Sequence, residues 1–383
     1  MRDPRLDRLA DVMVRYCTVV KPGHLVTIVG EPGAMDGVEA LFEAVLRAGA
    51  HPSYHAKCQD LQELMLRHGS DEQVRHVCPF ERYRLEKCDV LFVLACPRNT
   101  RSMGAIDPKR SAMAQAARRE LLTMSLRRLA EGATQYCLTE IPGEAAAQDA
   151  EMSLKDYAER VFRAGMLHLE DPVGAWMRLR GQSERALEYL RQRKEIRLRS
   201  PASDGSVDRR KHEGTDVTVN VEGRGWNNHS GATNFPDGEI DTGPREVDGV
   251  VNFTFPAIFK GREVDGIRLK YRAGKVVEAS AVKNEAYLIA LLEQDEGAST
   301  VGELGIGTNY ELPDMLRNAF FDEKIGGTFH IAVGAGYPET GNTNQSGLHW
   351  DMVSDLRRGG TMHADGELVQ ENGRFLKEGW PGV

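Results

Sequence analysis

The stretch LHWDMV, residues 348–353, places His349 and Asp351 two positions apart in an otherwise apolar run. In a strand, residues i and i+2 face the same side. The imidazole and the carboxylate would then point together, with Trp350 and Met352 on the opposite face. A neutral imidazole and a carboxylate aimed at one point are what a divalent metal requires. A histidine–aspartate hydrogen bond within a strand would explain the pair by itself, but three more β-like stretches repeat the pattern. GTFHIAVG (327–334) carries His330 in its apolar middle, VGELGIGTN (301–309) isolates Glu303 among apolar residues and glycines, and NFPDGEI (234–240) brings Glu239 just after a turn. Burying uncompensated charges costs on the order of several kcal/mol each. One shared site explains all four stretches more simply than four separate burials. Three carboxylates and two histidines suit two hard-to-borderline divalent ions better than one.

Two neighbours extend the set. Glu323, in FFDEKIGG, precedes His330 closely; it is either an exposed charge at a helix end or a further ligand or general base. Tyr337, in GAGYPET, follows His330 by seven residues beyond a glycine turn. It packs in a loop or donates its phenol to a developing oxyanion. HExxH, the helical zinc-protease arrangement, is absent from the sequence.

These residues need strands to position them, and the second half of the chain supplies strand signals. TDVTVNVEGR, VVNFTFPAIF, REVDGIRLKYRAGKVVEASAV and GELVQENGRF alternate with Gly and Asn turns, as antiparallel hairpins do. Helical spacing interrupts them near 284–294 and 313–325. The first half reads differently. HLVTIVG (24–30), CDVLFVLAC (88–96) and ATQYCLTEIP (133–142) are strand-like runs, separated by helical stretches at 36–49 and 112–132. That alternation predicts a doubly wound parallel sheet. The GEPGAMDG turn lacks the GxGxxG fingerprint and reads as a plain strand-to-helix turn. Residues 151–200 read as charged, solvated connecting helices, and the turn cluster PASDGS (201–206) as a boundary. The expected organisation is an α/β domain over 1–200 and an α+β, mixed or antiparallel, metal-binding domain over 201–383.

A chain of 383 residues can form two ordinary domains. Its net charge of −8 offers no basic footprint for nucleic acid or anionic lipid. The charged, amphipathic start lacks the apolar core of a signal peptide, and no apolar run reaches the roughly 18 residues of a membrane span. A cytoplasmic, non-membrane protein is expected. The six cysteines, Cys17, Cys58, Cys78, Cys88, Cys96 and Cys137, form no CxxC pair and read as reduced, mostly buried thiols.

Taken in order, NFPDGEI with TGP, GELGIGTN, DEKIGGTFHIAVG, YPETG and LHWDMV resemble the dimetallic aminopeptidases of the aminopeptidase T, aminopeptidase S and PepS family. The resemblance is densest over about residues 215–355. It implies a metalloaminopeptidase that removes N-terminal residues from peptides with two divalent ions, zinc or cobalt first, manganese or magnesium next. It implies the ligands Glu239, Glu303, His330, His349 and Asp351, with Glu303 or Glu323 as proton shuttle, Tyr337 as catalytic tyrosine, and a homodimer. Two positions depart from the family pattern: Asp241 stands where an aromatic or aliphatic residue is usual, and His229 where a carboxylate or amide is expected. Both bear on substrate preference. The same scaffold also hosts an iron-dependent ring-cleaving dioxygenase, and His330, His349 and Asp351 alone would make its two-histidine, one-carboxylate set. The further carboxylates Glu239 and Glu303 set this chain apart from such a site. A non-catalytic peptide-binding homologue is the third reading, against which the full ligand set argues.

Overall fold

The computed structural model describes residues 2–204 and 211–383, and the chain forms two compact units. The first unit comprises Met1–Val173 with Gly231–Pro236. Its centre is a five-stranded, all-parallel sheet built on β1 (Leu25–Gly30), β2 (His51–Ala56), β3 (Val90–Ala95) and β4 (Gln135–Glu140), in the order β4-β3-β1-β2. The short strand Asn234–Phe235 joins the outer side of β4, and its Phe235 is fully buried. Helix Met35–Arg47 follows β1 through a 3₁₀ turn and buries Val38, Leu41 and Val45, the three- and four-residue spacing of an amphipathic face. The helical stretch expected at 112–132 is two helices, Pro108–Ala117 and Arg119–Ala130, which meet at Arg118. All six cysteines are free; Cys17, Cys88, Cys96 and Cys137 are buried, Cys58 is half-buried and Cys78 exposed.

The second unit comprises Gly174–Ser230 and Asp237–Val383. It contains an eight-stranded antiparallel sheet and a five-stranded antiparallel sheet that share one apolar core. The boundary between units lies at 173/174, not near 200. Two features hidden in the charged 151–200 stretch account for this. Helix Pro172–Leu190 buries Ala186, Leu187 and Leu190 in the core of the second unit. Glu195–Ser200 is a strand whose buried Ile196 and Leu198 alternate with charged residues, paired with Thr215–Asn220 and Thr361–Ala364. The expected solvated connector is thus core structure. The turn cluster at 201–206 ends outside the described residues. The helix expected over 313–325 shrinks to the single turn Ala319–Asp322, since Arg317 takes a left-handed φ of 54° and the Asp322 carboxylate accepts from the backbone of Leu316 and Asn318.

The five-stranded sheet carries the candidate chemistry. Its strands are β5 (Trp226–His229), β6 (Glu239–Thr242), β7 (Val301–Gly307), β8 (Thr328–Gly334) and β9 (His349–Asp355), in the order β9-β8-β7-β6-β5. One face is apolar: Ile240, Leu304, Ile306, Phe329, Ile331, Val333, Trp350 and Met352 enter the core. Each such side chain removed from water stabilises the fold by roughly 1.5–3 kcal/mol. Because strand side chains alternate, burying this set fixes the other face for Glu239, Asp241, Glu303, His330, His349 and Asp351.

Candidate metal centre

Strand register decides which of those side chains meet. Glu303 on β7 pairs with Ala332 on β8, which pairs with Asp351 on β9, so two carboxylates flank a methyl group. One row along, Asp241 on β6 pairs with Gly305 on β7, which pairs with His330 on β8. The small residues Ala332 and Gly305 leave a hollow between the larger polar ones. Gly305 is required there, because a Cβ would sit 2.0 Å from Cε1 of the His330 ring.

The expected residues converge in that hollow. His330 Nε2 lies 3.5 Å from Glu303 Oε1, 3.7 Å from Glu239 Oε2 and 3.9 Å from Asp351 Oδ1. His349 Nε2 lies 3.4 Å from Glu303 Oε2 and 3.5 Å from Asp351 Oδ2. The Nδ1 of His349 donates to the Ala335 carbonyl at 2.8 Å. That bond fixes the tautomer and turns the Nε2 lone pair toward the carboxylates, as in metal-ligating histidines. Among the described residues, Glu303, His349 and Asp351 offer donor atoms within 4.8 Å of one another.

The centre fits a divalent ion on two observations of its own. Glu239 Oε2 and Asp351 Oδ1 are buried without a hydrogen-bond partner, and both face His330 Nε2. Buried carboxylate oxygens in this state call for a cation. The titration shifts point the same way. Burial works against charge on His330, yet the hydrogen bond to Glu303 and the charges of Glu239, Glu303 and Asp351 lift the imidazole to about 10. His349 rises to about 10 against burial through Glu303 and Asp351. Burial pushes Glu239 up to about 7 although Lys324 opposes it, and pushes Asp351 up as well. The cluster thus gathers positive charge by every route open to it.

Tyr337 stands at the rim, 39% exposed, with its hydroxyl 3.4 Å from His349 Nε2 and the two rings 5.3 Å apart. Its loop is held by Asn342, which donates to the carbonyls of Val301 and Gly302, and by Asn344, which donates to Gly297. Burial raises the phenol, and the nearby carboxylates add to the effect, so the hydroxyl is a donor at ordinary pH. Glu323 is no exposed helix end. Its carboxylate accepts from Lys324 Nζ at 2.5 Å, and burial beside Asp351 raises it.

Lys324 escaped the sequence reading. Its side chain is 2% exposed, and its Nζ lies 2.8 Å from Glu239 Oε1, 2.5 Å from Glu323 Oε1 and 3.7 Å from Asp237 Oδ1. A charge-rich DEK run ordinarily reads as a solvated turn, so nothing in its pattern signals burial. The departures His229 and Asp241 prove to be partners. His229 Nε2 meets Asp241 Oδ2 at 2.7 Å, Asn227 donates to the other oxygen at 3.1 Å, and Asp241 is fully buried. Burial opposes charge on His229, but the bond to Asp241 and the charges of Glu239 and Asp237 lift it to about 9.

The thermophilic metalloprotease (M29) family model matches residues 2–375. The chain belongs to that family. Aminopeptidase 2 of Geobacillus stearothermophilus is 25% identical over 365 residues, covering 88% of this chain and 84% of its own. Aminopeptidase T of Thermus thermophilus is 26% identical over 367 residues, covering 89% and 87%. Among solved structures, wild-type AmpT from Thermus thermophilus superposes with a TM-score of 0.79 at 22% identity, over 98% of this chain and 99% of its own. A 2,5-dihydroxypyridine dioxygenase from Pseudomonas putida KT2440 gives 0.59 at 14% identity, over 98% of each chain. Both structural likenesses speak for the fold, an α/β sheet unit joined to an antiparallel α+β unit as expected. The family is one of metal-dependent hydrolases, and its relatives named here are aminopeptidases. The expected metal-dependent aminopeptidase is borne out at that level.

Proposed function

We propose that the metalloprotease removes the N-terminal residue of peptides, with Glu239, Glu303, His330, His349 and Asp351 as the ligands of up to two divalent ions. The observation that carries this reading is the meeting of these five side chains from four strands on one sheet face, with two buried carboxylate oxygens left without hydrogen bonds. Zinc or cobalt suits the mixed imidazole and carboxylate set best, and manganese or magnesium suits its oxygen-rich side. Bound there, the ions would lower the pKa of a water and polarise the scissile carbonyl.

The chain's own groups divide the remaining tasks. Tyr337 Oη, half-exposed at the rim, donates to the oxygen that gains charge as the carbonyl is attacked. Glu303, with its two oxygens 3.5 and 3.4 Å from Nε2 of His330 and of His349, serves as a ligand. Glu323, raised by burial, takes a proton from water and passes it to the leaving amine. The excess of buried carboxylates favours the free α-ammonium of a peptide, which gives an exopeptidase its register. We include in the proposal a homodimer in the cytoplasm. Six free cysteines support a reducing compartment, and no described helix is long and apolar enough to cross a membrane. Exposed Phe80, Tyr83, Leu122 and Leu126 on the first unit support a surface for a second copy.

The test is metal content of the purified protein, measured with turnover of a panel of aminoacyl amides. Hydrolysis that stops on chelation and returns with zinc, cobalt or manganese supports the reading. One iron per chain with oxygen uptake on a hydroxylated ring, or hydrolysis indifferent to chelation, overturns it.

A further inference from the structure

The Glu239 side of the centre already holds a cation. Lys324 Nζ bonds Glu239 Oε1 and Glu323 Oε1 at 2.8 and 2.5 Å, with Asp237 Oδ1 at 3.7 Å. The backbone on both sides of this contact is anchored. The backbone carbonyl of Lys324 accepts from Asn309 N, and the Asn309 side chain donates to the Asp237 carbonyl at 2.8 Å, so both the lysine and a carboxylate that faces it are tied to one residue. Removing the ammonium would leave Glu239 and Glu323 buried without it, at a large cost. The opposite side differs. There Glu303, His349 and Asp351 bring three donor atoms within 4.8 Å of each other, and among the described residues Glu239 joins no such group. Glu239 keeps one oxygen, Oε2, without a hydrogen bond, 3.7 Å from His330 Nε2.

We infer that Lys324 acts as a resident cation on the Glu239 side, so that the two divalent ions bind unequally: one tightly at Glu303, His349 and Asp351, the other weakly beside Glu239 and His330. The inference rests on the proposed metal-dependent function and adds the order and strength of loading. The weak ion meets half of a carboxylate whose other half is neutralised, and it stands beside an ammonium sharing that carboxylate. A unit charge and a divalent ion a few ångströms apart repel enough, even at the effective dielectric of a protein site, to weaken binding by on the order of 100-fold or more.

The experiment titrates metal-free protein with manganese(II), counting bound ions by equilibrium dialysis with elemental analysis and recording the electron paramagnetic resonance spectrum at each addition. The wild-type chain should bind one equivalent tightly, with the spectrum of an isolated ion, and a second about 100-fold more weakly. Lys324→Met should bind two equivalents of similar affinity and show the spectrum of a coupled pair at two equivalents. Lys324→Arg, which retains the charge, should keep the gap. Two equally tight ions in the wild type overturn the inference while leaving the metal-dependent function intact, and so does a Lys324→Met variant that keeps the wild-type gap. If Lys324→Met does not fold, the wild-type count and spectrum decide. A wild-type chain that binds no stoichiometric ion sinks the proposed function itself, a result distinct from either of these.

Discussion

Replacing Gly305 with alanine should damage the centre without replacing any proposed ligand. The added Cβ would lie 2.0 Å from His330 Cε1 and 2.1 Å from Nε2, where carbon contacts settle at about 3.5–4.0 Å. The imidazole would have to move by roughly 1.5 Å, the difference between those distances. His330 is only 1% exposed, and its strand is packed on the opposite face through Phe329 and Ile331, so the backbone that carries the ring is held in place and the ring itself must shift. Overpacking of this kind costs about 1–3 kcal/mol of stability. The displacement also exceeds the ~0.2 Å within which metal–ligand distances normally hold. Metal affinity at the His330 side should therefore fall by about 10- to 100-fold, as it does when a ligand's support is lost. Urea denaturation of the metal-free variant reads the first effect, and a manganese(II) titration reads the second. A Gly305→Ala protein with wild-type stability and wild-type metal binding would show that His330 does not occupy the place described, and the ligand assignment would fall with it.

Glu239→Gln and Glu303→Gln should each abolish peptide hydrolysis while the far-ultraviolet circular dichroism stays that of the wild type, because the amide keeps the shape and loses the charge; activity within a few-fold of wild type in both would remove them from the ligand set. Tyr337→Phe should lower kcat by about 10²- to 10³-fold with little change in KM and full metal content, since the hydroxyl acts on the transition state; a kcat within about threefold of wild type would leave Tyr337 a packing residue. In the metal-free chain, burial opposes charge on His229, but the bond to Asp241 and the charges of Glu239 and Asp237 raise the folded-state pKa of the imidazole from 6.5 to about 9. Its contribution to stability is therefore complete below about pH 6.5 and is lost as pH rises through about 9. Melting temperatures measured across that window should fall with pH more steeply for the wild type than for Asp241→Asn, and parallel curves would contradict the pairing.

The candidate ligands stand out in the sequence because strands make a two-residue code. His349 and Asp351 share a face by spacing alone, and Glu303 and His330 stand out because their neighbours are apolar or glycine. What spacing could not give is register between strands distant in sequence. That Ala332 separates Glu303 from Asp351, or that Gly305 receives the His330 ring, follows only once β7, β8 and β9 are paired. The same limit explains the misplaced boundary. IRLRS alternates with period two like any edge of a sheet, but its charges sit at the end of a long charged helix and merge with it to the eye. The helix expected at 313–325 failed for a different reason. Its apolar spacing is helical, yet Asp322 turns its carboxylate back onto the backbone of Leu316 and Asn318, and Arg317 takes a left-handed conformation that no propensity scale anticipates.

Lys324 marks where a single sequence ceases to inform. A buried lysine and a surface lysine carry the same letter, and DEK at the end of a helical pattern favours the surface. Its burial is imposed from outside its own segment: by Glu239 on β6, by Asp237 in the turn before it, and by Asn309, which holds the backbone at both ends of the contact. Charge that is costly to bury by itself becomes tolerable when several carboxylates converge, as Glu239, Glu323 and Asp237 do around Lys324. The lysine is therefore evidence about the centre as a whole. A site meant for two equivalent ions has no reason to place a permanent ammonium on one ligand's oxygen, whereas a site that loads one ion firmly and a second reluctantly does. The unequal filling proposed for Lys324 and the ring displacement expected of Gly305→Ala probe two parts of the same centre, Glu239 on β6 and His330 on β8. If both hold, the asymmetry of the centre lies in the chain's own residues, Lys324 on the Glu239 side and the Gly305 cradle of His330.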